Sequence, residues 1–240
     1  MPSPGFQFKQ FYVKHDLCAM KVGTDGVLLG AWAGWHDDYQ HILDIGTGSG
    51  LVALMLAQRF PHALLTGIDI DADAALQAAD NFKASPWNKR LHAQHVSLQE
   101  FALSNTTRFD LIVSNPPFFQ NSLKNPDLHR STARHTDTLP HTSLVKIAAD
   151  LLTEQGVLCV ILPAEQTDAF SHLAASSQLQ MHKRLDIYPT PQRPAKRTLL
   201  ALSKTTPASP THEKLIIEME GRHNYSPDYL HLTSAFYLDK

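Results

Sequence analysis

The stretch His41-Ile42-Leu43-Asp44-Ile45-Gly46-Thr47-Gly48-Ser49-Gly50-Leu51-Val52-Ala53-Leu54-Met55-Leu56-Ala57-Gln58-Arg59 decides the fold. Its first five residues read as a buried strand and its last nine as an apolar helix. Three alternate glycines join them. Glycine admits positive φ and lets a ligand approach the backbone closely. The helix start adds N–H groups that lack an intrahelical partner. A second apolar strand, Ala63-Leu64-Leu65-Thr66-Gly67-Ile68, ends at Asp69. That is about 20 residues beyond the glycines, where a Rossmann-type site holds an acid for a ribose hydroxyl. Strand, glycine turn, helix and strand in this order predict an α/β fold on a parallel sheet.

The spacing also constrains the ligand. It is G-x-G-x-G, not the G-x-G-x-x-G of dinucleotide enzymes, and Asp44 stands two positions before the first glycine. A carboxylate that close suits a pyrophosphate poorly, whereas the ammonium of an amino acid tolerates it. A nucleoside that carries an amino acid and no phosphate, such as S-adenosylmethionine, fits. The candidate cofactor residues are Asp44, Gly46, Gly48, Gly50 and Asp69.

A second motif lies further on. Leu111-Ile112-Val113 reads as a strand end, cut short by Ser114-Asn115-Pro116-Pro117-Phe118. Two prolines remove two backbone donors and hold the residues before them extended. What remains is a stiff turn rich in acceptors, with an aromatic ring behind it. Asn115 offers a side-chain carbonyl, Pro116 a backbone carbonyl and Phe118 a stacking face. That set suits a planar group bearing an NH2, and Asn115, Pro116, Pro117 and Phe118 are the candidate catalytic residues. Alone, an Asn-Pro-Pro sequence reads as an ordinary turn; the upstream glycine motif gives it weight.

Bulk composition narrows the classes. The chain has 240 residues, 43% hydrophobic and 18% charged, which suits one globular core. A net charge of -2 excludes a generally basic nucleic-acid coat, so RNA contact must come from local patches. Cys18 and Cys159 read as buried free thiols in a reducing compartment. The first residues lack the apolar core of a secretory signal, and no apolar run reaches membrane-spanning length. The expectation is a cytoplasmic protein without membrane attachment.

Together, Asp44-Ile45-Gly46-Thr47-Gly48-Ser49-Gly50, Asp69 and Asn115-Pro116-Pro117-Phe118 resemble a class I S-adenosylmethionine-dependent methyltransferase acting on an exocyclic amine. The flanks Lys21-Val22-Gly23-Thr24-Asp25-Gly26-Val27-Leu28-Leu29-Gly30-Ala31-Trp32 and Ala133-Arg134-His135-Thr136 resemble the bacterial tRNA(Val) adenine-N6-methyltransferase family. The resemblance covers roughly Phe8 to Ser203. It implies a Rossmann-like, mostly parallel seven-stranded sheet with an antiparallel last strand and helices on both faces. It also implies transfer of methyl from S-adenosylmethionine to N6 of the adenosine 3′ of the anticodon. Other amine acceptors, a protein glutamine or an rRNA guanine, stay open on the motif alone, as does a non-catalytic RNA-binding module. No metal is expected, because the sulfonium donor is already activated; a monomer is expected as well.

The remaining residues add expectations. Thr24 or Asp25 suits the N-cap of a short helix, Val27 to Trp32, whose start is alternatively one wall of the cofactor site. Both are therefore candidate cofactor residues. Ala72 to Ala84 reads as a helix with Asn81 facing solvent or capping. After the strand Leu91 to Val96, relatives of this fold often carry an acid against the adenine amine. This chain has Ser97 there, with Glu100 nearby. Asn121 to His141 is a polar insertion that carries Arg130 and Arg134, and a stiff loop from Pro189 carries Arg193, Lys196 and Arg197. These five are candidate phosphate contacts for tRNA. A single methyltransferase domain, 1–240, is expected, with a front piece at 1–35, a core at 36–204 and an extension at 205–240. Lys214 to Glu220 reads as an edge strand and Tyr225 to Lys240 as a docking helix or a partly disordered tail.

Overall fold

The computed structural model describes residues 4–18, 20–117 and 139–238. A small hairpin comes first, β1 (Gly5–Gln7) against β2 (Tyr12–Lys14). After α1 (Thr24–Trp32), the expected alternation follows: β3 (His41–Ile45), α2 (Leu51–Arg59), β4 (Leu64–Asp69), α3 (Ala72–Ala84) and β5 (Leu91–His95). Next come α4 (Leu98–Ser104), β6 (Phe109–Ser114), α5 (His141–Leu151), β7 (Leu152–Pro163) and α6 (Thr167–Ser176). The chain closes with β8 (Gln180–Tyr188), β9 (Arg197–Ser203), β10 (Thr211–Ile216) and α7 (Pro227–Thr233).

The large sheet has eight strands in the order β10-β8-β9-β7-β6-β3-β4-β5, one more than expected. Only β9 runs against the others, pairing antiparallel with both β7 and β8. The strand beyond the seven of the family is β10, parallel to β8 on the outer edge; it is the edge strand expected at Lys214 to Glu220, but it begins and ends earlier. Its alternation is masked by His212, Glu213 and Lys214, exposed residues of the kind that keep an edge from pairing with other chains.

The apolar runs of the central strands sort into two cores by the two-residue period of the pleat. In β7, Val157, Cys159 and Ile161 face one layer; Leu158, Val160 and Leu162 face the other. Residues of α1, α2, α3 and α7 cover the first layer, and residues of α4, α5 and α6 the second. The tail is docked: Tyr229 and Phe236 are buried, and the Phe236 carbonyl accepts from the Lys9 amide at 2.8 Å.

Three local expectations are corrected. The N-cap of α1 is Gly23, with no side-chain cap bond, because Thr24 and Asp25 already lie inside the helix. Asn81 does not face solvent: it is 2% exposed and bonds to Lys14 and Ser49. Cys18 is only partly buried, while Cys159 is buried; both are free. Among the described residues no helix is long and apolar enough to cross a membrane.

Candidate active site

The parallel strands end on one edge of the sheet, where open α/β sheets place their ligands. The glycine turn follows β3, Asp69 ends β4, Ser97 follows β5 and Asn115 follows β6. A cavity of about 510 Å³ opens there, lined by Gly46, Gly48, Asp69, Ser97, Asn115, Pro116 and Pro117 among others. Residues that follow four different strands thus converge on one cavity.

The glycines do different things. Gly46 and Gly48 have φ of +70° and +54°, and a Cβ built on either would meet nothing within 4 Å. Both thus present bare backbone to the cavity, a cradle that a side chain would fill. The cavity accommodates the expected nucleoside–amino acid cofactor on this observation. Gly50 does not line it. A Cβ there would lie 2.4 Å from the Phe82 ring, so Gly50 allows α2 and α3 to pack closely.

The acids divide likewise. Asp69 lines the cavity, and its carboxylate accepts from the Gly48 amide at 2.8 Å and the Asp71 amide at 3.0 Å. It therefore holds the turn open and leaves further lone pairs for a ribose hydroxyl. Asp44 is 2% exposed and does not line the cavity. It accepts from the Thr47 hydroxyl at 2.7 Å and the Ala53 amide at 3.3 Å, bracing the turn from within. Contact with a ligand ammonium is replaced by this internal role, because the strand end buries the side chain.

Burial raises the Asp44 carboxyl from 3.8 to about 7, against the hydrogen bonds from Thr47 and Ala53 that favour its charged form. The folded state thus binds this proton more tightly than the unfolded chain does. The resulting stability is complete below the unfolded value of 3.8 and lost as pH rises through about 7. Asp44→Asn is expected to remove that component of the slope between these limits and to melt higher than wild type at pH 8. Thermal melts of both proteins across this range check it; parallel curves would refute it.

Ser97 lines the cavity as the N-cap of α4. Its hydroxyl donates to Glu100 at 2.7 Å and accepts from the Glu100 amide at 3.2 Å. Glu100 also lines the cavity, and the Ser97 hydroxyl together with the Ser97 amide, which donates to the same carboxylate oxygen at 3.3 Å, holds its carboxyl below the ordinary range. An acid is thus still supplied beside β5, from one helical turn further on.

At the far side, Pro116 is buried and Asn115 half-buried. Among the described residues the Asn115 side chain has no hydrogen-bond partner, so its amide is available to a ligand. The Ser114 hydroxyl donates to the Ile45 carbonyl at 2.9 Å, tying this turn to the start of the glycine turn.

Several candidates fall elsewhere. Thr24 and Asp25 do not line the cavity. The Asp25 carboxylate instead accepts from the Arg197 guanidinium at 2.8 Å, which corrects both the cofactor reading of Asp25 and the phosphate reading of Arg197. The reason is topological: the start of α1 and the start of β9 meet on this edge. Arg193 and Lys196 stay exposed on the β8–β9 loop. Phe118, Arg130 and Arg134 lie outside the described residues. Sequence reasoning missed Cys18 and Met20, which close one side of the cavity from the N-terminal segment. Burial, then nearby Asp69 and Asp71, push the Cys18 thiol up to about 11, which favours a neutral wall.

Fold and cavity together define a Rossmann-like methyltransferase. The chain belongs to the methyltransferase small domain family, whose sequence profile matches residues 33–177. It is 48% identical over 238 residues to a tRNA1(Val) (adenine(37)-N6)-methyltransferase from Parabacteroides distasonis, covering 99% of each chain. It is 46% identical over 233 residues to one of the same name from Flavobacterium johnsoniae, covering 97% of this chain and 99% of the relative. Among solved structures, "a predicted O-methyltransferase" from Agrobacterium tumefaciens superposes with a TM-score of 0.70. It covers 88% of this chain and 96% of that one at 19% identity, a likeness of fold.

Proposed function

We propose that this chain transfers methyl from S-adenosylmethionine to N6 of a tRNA adenosine, the one 3′ of the anticodon of tRNA(Val). The observation that carries the reading is the Asn115-Pro116-Pro117 turn, set on the rim of the cavity that the glycine turn opens. The identity of 46–48% to relatives bearing that name, over nearly the whole chain, supports the choice of acceptor.

Gly46, Gly48 and Asp69 would hold the cofactor, with Ser97 and Glu100 at its base end. When bound, it supplies a methyl group already activated on sulfur. The acceptor is the weak partner, because an aryl amine delocalises its lone pair into the ring. Asn115 Oδ1 and the Pro116 carbonyl are proposed to accept its two N–H groups. Hydrogen bonds of this kind favour a more tetrahedral nitrogen and stabilise the positive charge that grows on it. Phe118, by sequence the next residue, would stack on the base and set its plane. Alignment of the nitrogen with the methyl group lowers most of the remaining barrier, and the surplus proton leaves to water. The base must first be splayed out of the anticodon loop, at a cost of a few kcal/mol.

The test is incubation with methyl-labelled S-adenosylmethionine and separate pools of unmodified tRNA, rRNA, DNA and protein. N6-methyladenosine in tRNA(Val) is expected. Label recovered as methylguanine in rRNA or as methylglutamine in protein would overturn the reading.

The exposed Arg193 and Lys196 are proposed phosphate contacts. Each alanine variant is expected to raise the KM for tRNA a few-fold and to reduce the salt slope by about 1. Donor affinity should stay unchanged. A salt titration of tRNA binding that matches wild type would remove this loop from the interface.

A further inference from the structure

We propose that Asn81 is a positioning residue for the methyl donor, clamping the N-terminal segment across the glycine turn so that the cofactor meets a finished wall. The proposal rests on the cofactor reading above. Asn81 and Gln77 lie one helical turn apart on α3 and are each 2% exposed. The Asn81 amide nitrogen donates to the Lys14 carbonyl and to the Ser49 carbonyl, both at 2.8 Å. Its oxygen accepts from the Lys14 amide at 3.0 Å. Gln77 Oε1 accepts from the Leu17 amide at 3.1 Å.

These bonds join three separate parts of the chain, and they add hydrogen bonds to the apolar packing that Phe11 and Val13 already make. Ser49 sits inside the glycine turn, Lys14 ends β2, and Leu17 directly precedes Cys18, the first cavity residue of the segment. Asn81 thus bridges the cradle of the cofactor to the strand that leads into the opposing wall. Asparagine is suited to this place because one amide serves two carbonyls and one N–H at once. Removing it leaves three backbone polar groups without their partner, and water reaches them most cheaply if the largely exposed stretch after Lys14 loosens while Phe11 and Val13 stay packed. A donor then binds only after the segment is ordered again, and that ordering cost lowers affinity. The acceptor turn after β6 lies across the cavity and makes none of these bonds, so turnover with saturating donor should be preserved.

The test uses the full chain, with Asn81→Ala and the near-isosteric Gln77→Met. S-adenosylmethionine binding is measured by calorimetry, and kinetics are measured with donor varied. The expected result is a rise in donor Kd and KM of about tenfold or more for Asn81→Ala, and less for Gln77→Met, because buried polar groups are left unmatched. kcat should stay within about twofold of wild type, as for a change in ground-state binding only. Amide exchange at Leu17 should speed up in ligand-free Gln77→Met. A merely structural role would instead lower the melting temperature and the active fraction while leaving donor Kd unchanged. That outcome, or a fall in kcat at constant KM, overturns the proposal. If Asn81→Ala does not fold, Gln77→Met decides by the same criteria. Failure of the wild type to bind donor would overturn the cofactor reading as well, which distinguishes the two failures.

Discussion

Replacing Asn115 by alanine is expected to lower kcat by about 10²–10³-fold, the usual loss when one preorganised polar group facing the reacting centre is removed. Donor affinity should stay close to that of wild type, because the cofactor's proposed contacts come from other strand ends. The expectation follows from the placement of the side chain. Asn115 is half-buried on the cavity wall, and among the described residues nothing within the protein occupies its amide. The two prolines after it leave the turn little freedom to substitute another acceptor. Single-turnover kinetics with bound donor and tRNA isolate the chemical step, while calorimetry reports donor binding. A variant that retains wild-type turnover would show that the amine is held elsewhere. Loss of donor binding in parallel with turnover would show that Asn115 belongs to the cofactor's side of the cavity.

Gly50→Ala should destabilise the protein by about 2–5 kcal/mol, combining left-handed backbone strain with overpacking. Gly50 has φ of +79°, and its new Cβ would stand 2.4 Å from a Phe82 ring carbon. Phe82 is buried in the core beneath α3 and cannot simply swing out. In a chain of this length that corresponds to a fall in melting temperature of roughly 5–15 °C. Adding Phe82→Leu to Gly50→Ala should recover part of the loss by making room for the methyl. Gly48→Ala provides the contrast. Its Cβ would meet nothing within 4 Å, so it should cost stability only through its backbone angle but weaken donor binding by intruding on the cavity. Equal melting temperatures for the Gly48 and Gly50 variants would refute this division of labour.

Much of the site was legible because it is local. A strand, a glycine turn and an acid at the next strand end are set by residues within about 25 positions, and the Asn-Pro-Pro turn by its own stiffness. The ends of α3 agree with the expected Ala72 to Ala84, and Asp71 caps it by accepting from the amides of Asp73 and Ala74. The less legible features involve partners far apart in the chain. Asp25 and Arg197 are separated by 172 positions, and Lys14 and Asn81 by 67. No spacing rule links such residues. A basic residue in a Pro-rich loop looks like a phosphate contact until the fold shows which acid lies beside it.

Order along the chain, and the chemistry offered at each strand end, thus follow from amino-acid pattern: periods of two and 3.6 residues, glycines that admit positive φ, and prolines that stop a strand. Assignment of each side chain to cavity or interior came from packing. Asp44 stands next to the end of β3 and Asp69 at the end of β4, yet one braces the turn from within while the other faces the ligand space. Gly48 and Gly50 belong to one motif, yet one borders the cavity and the other a phenylalanine ring. The physical reason is that burial and hydrogen bonding depend on which distant surface closes over a residue, and that surface exists only once the layers have assembled.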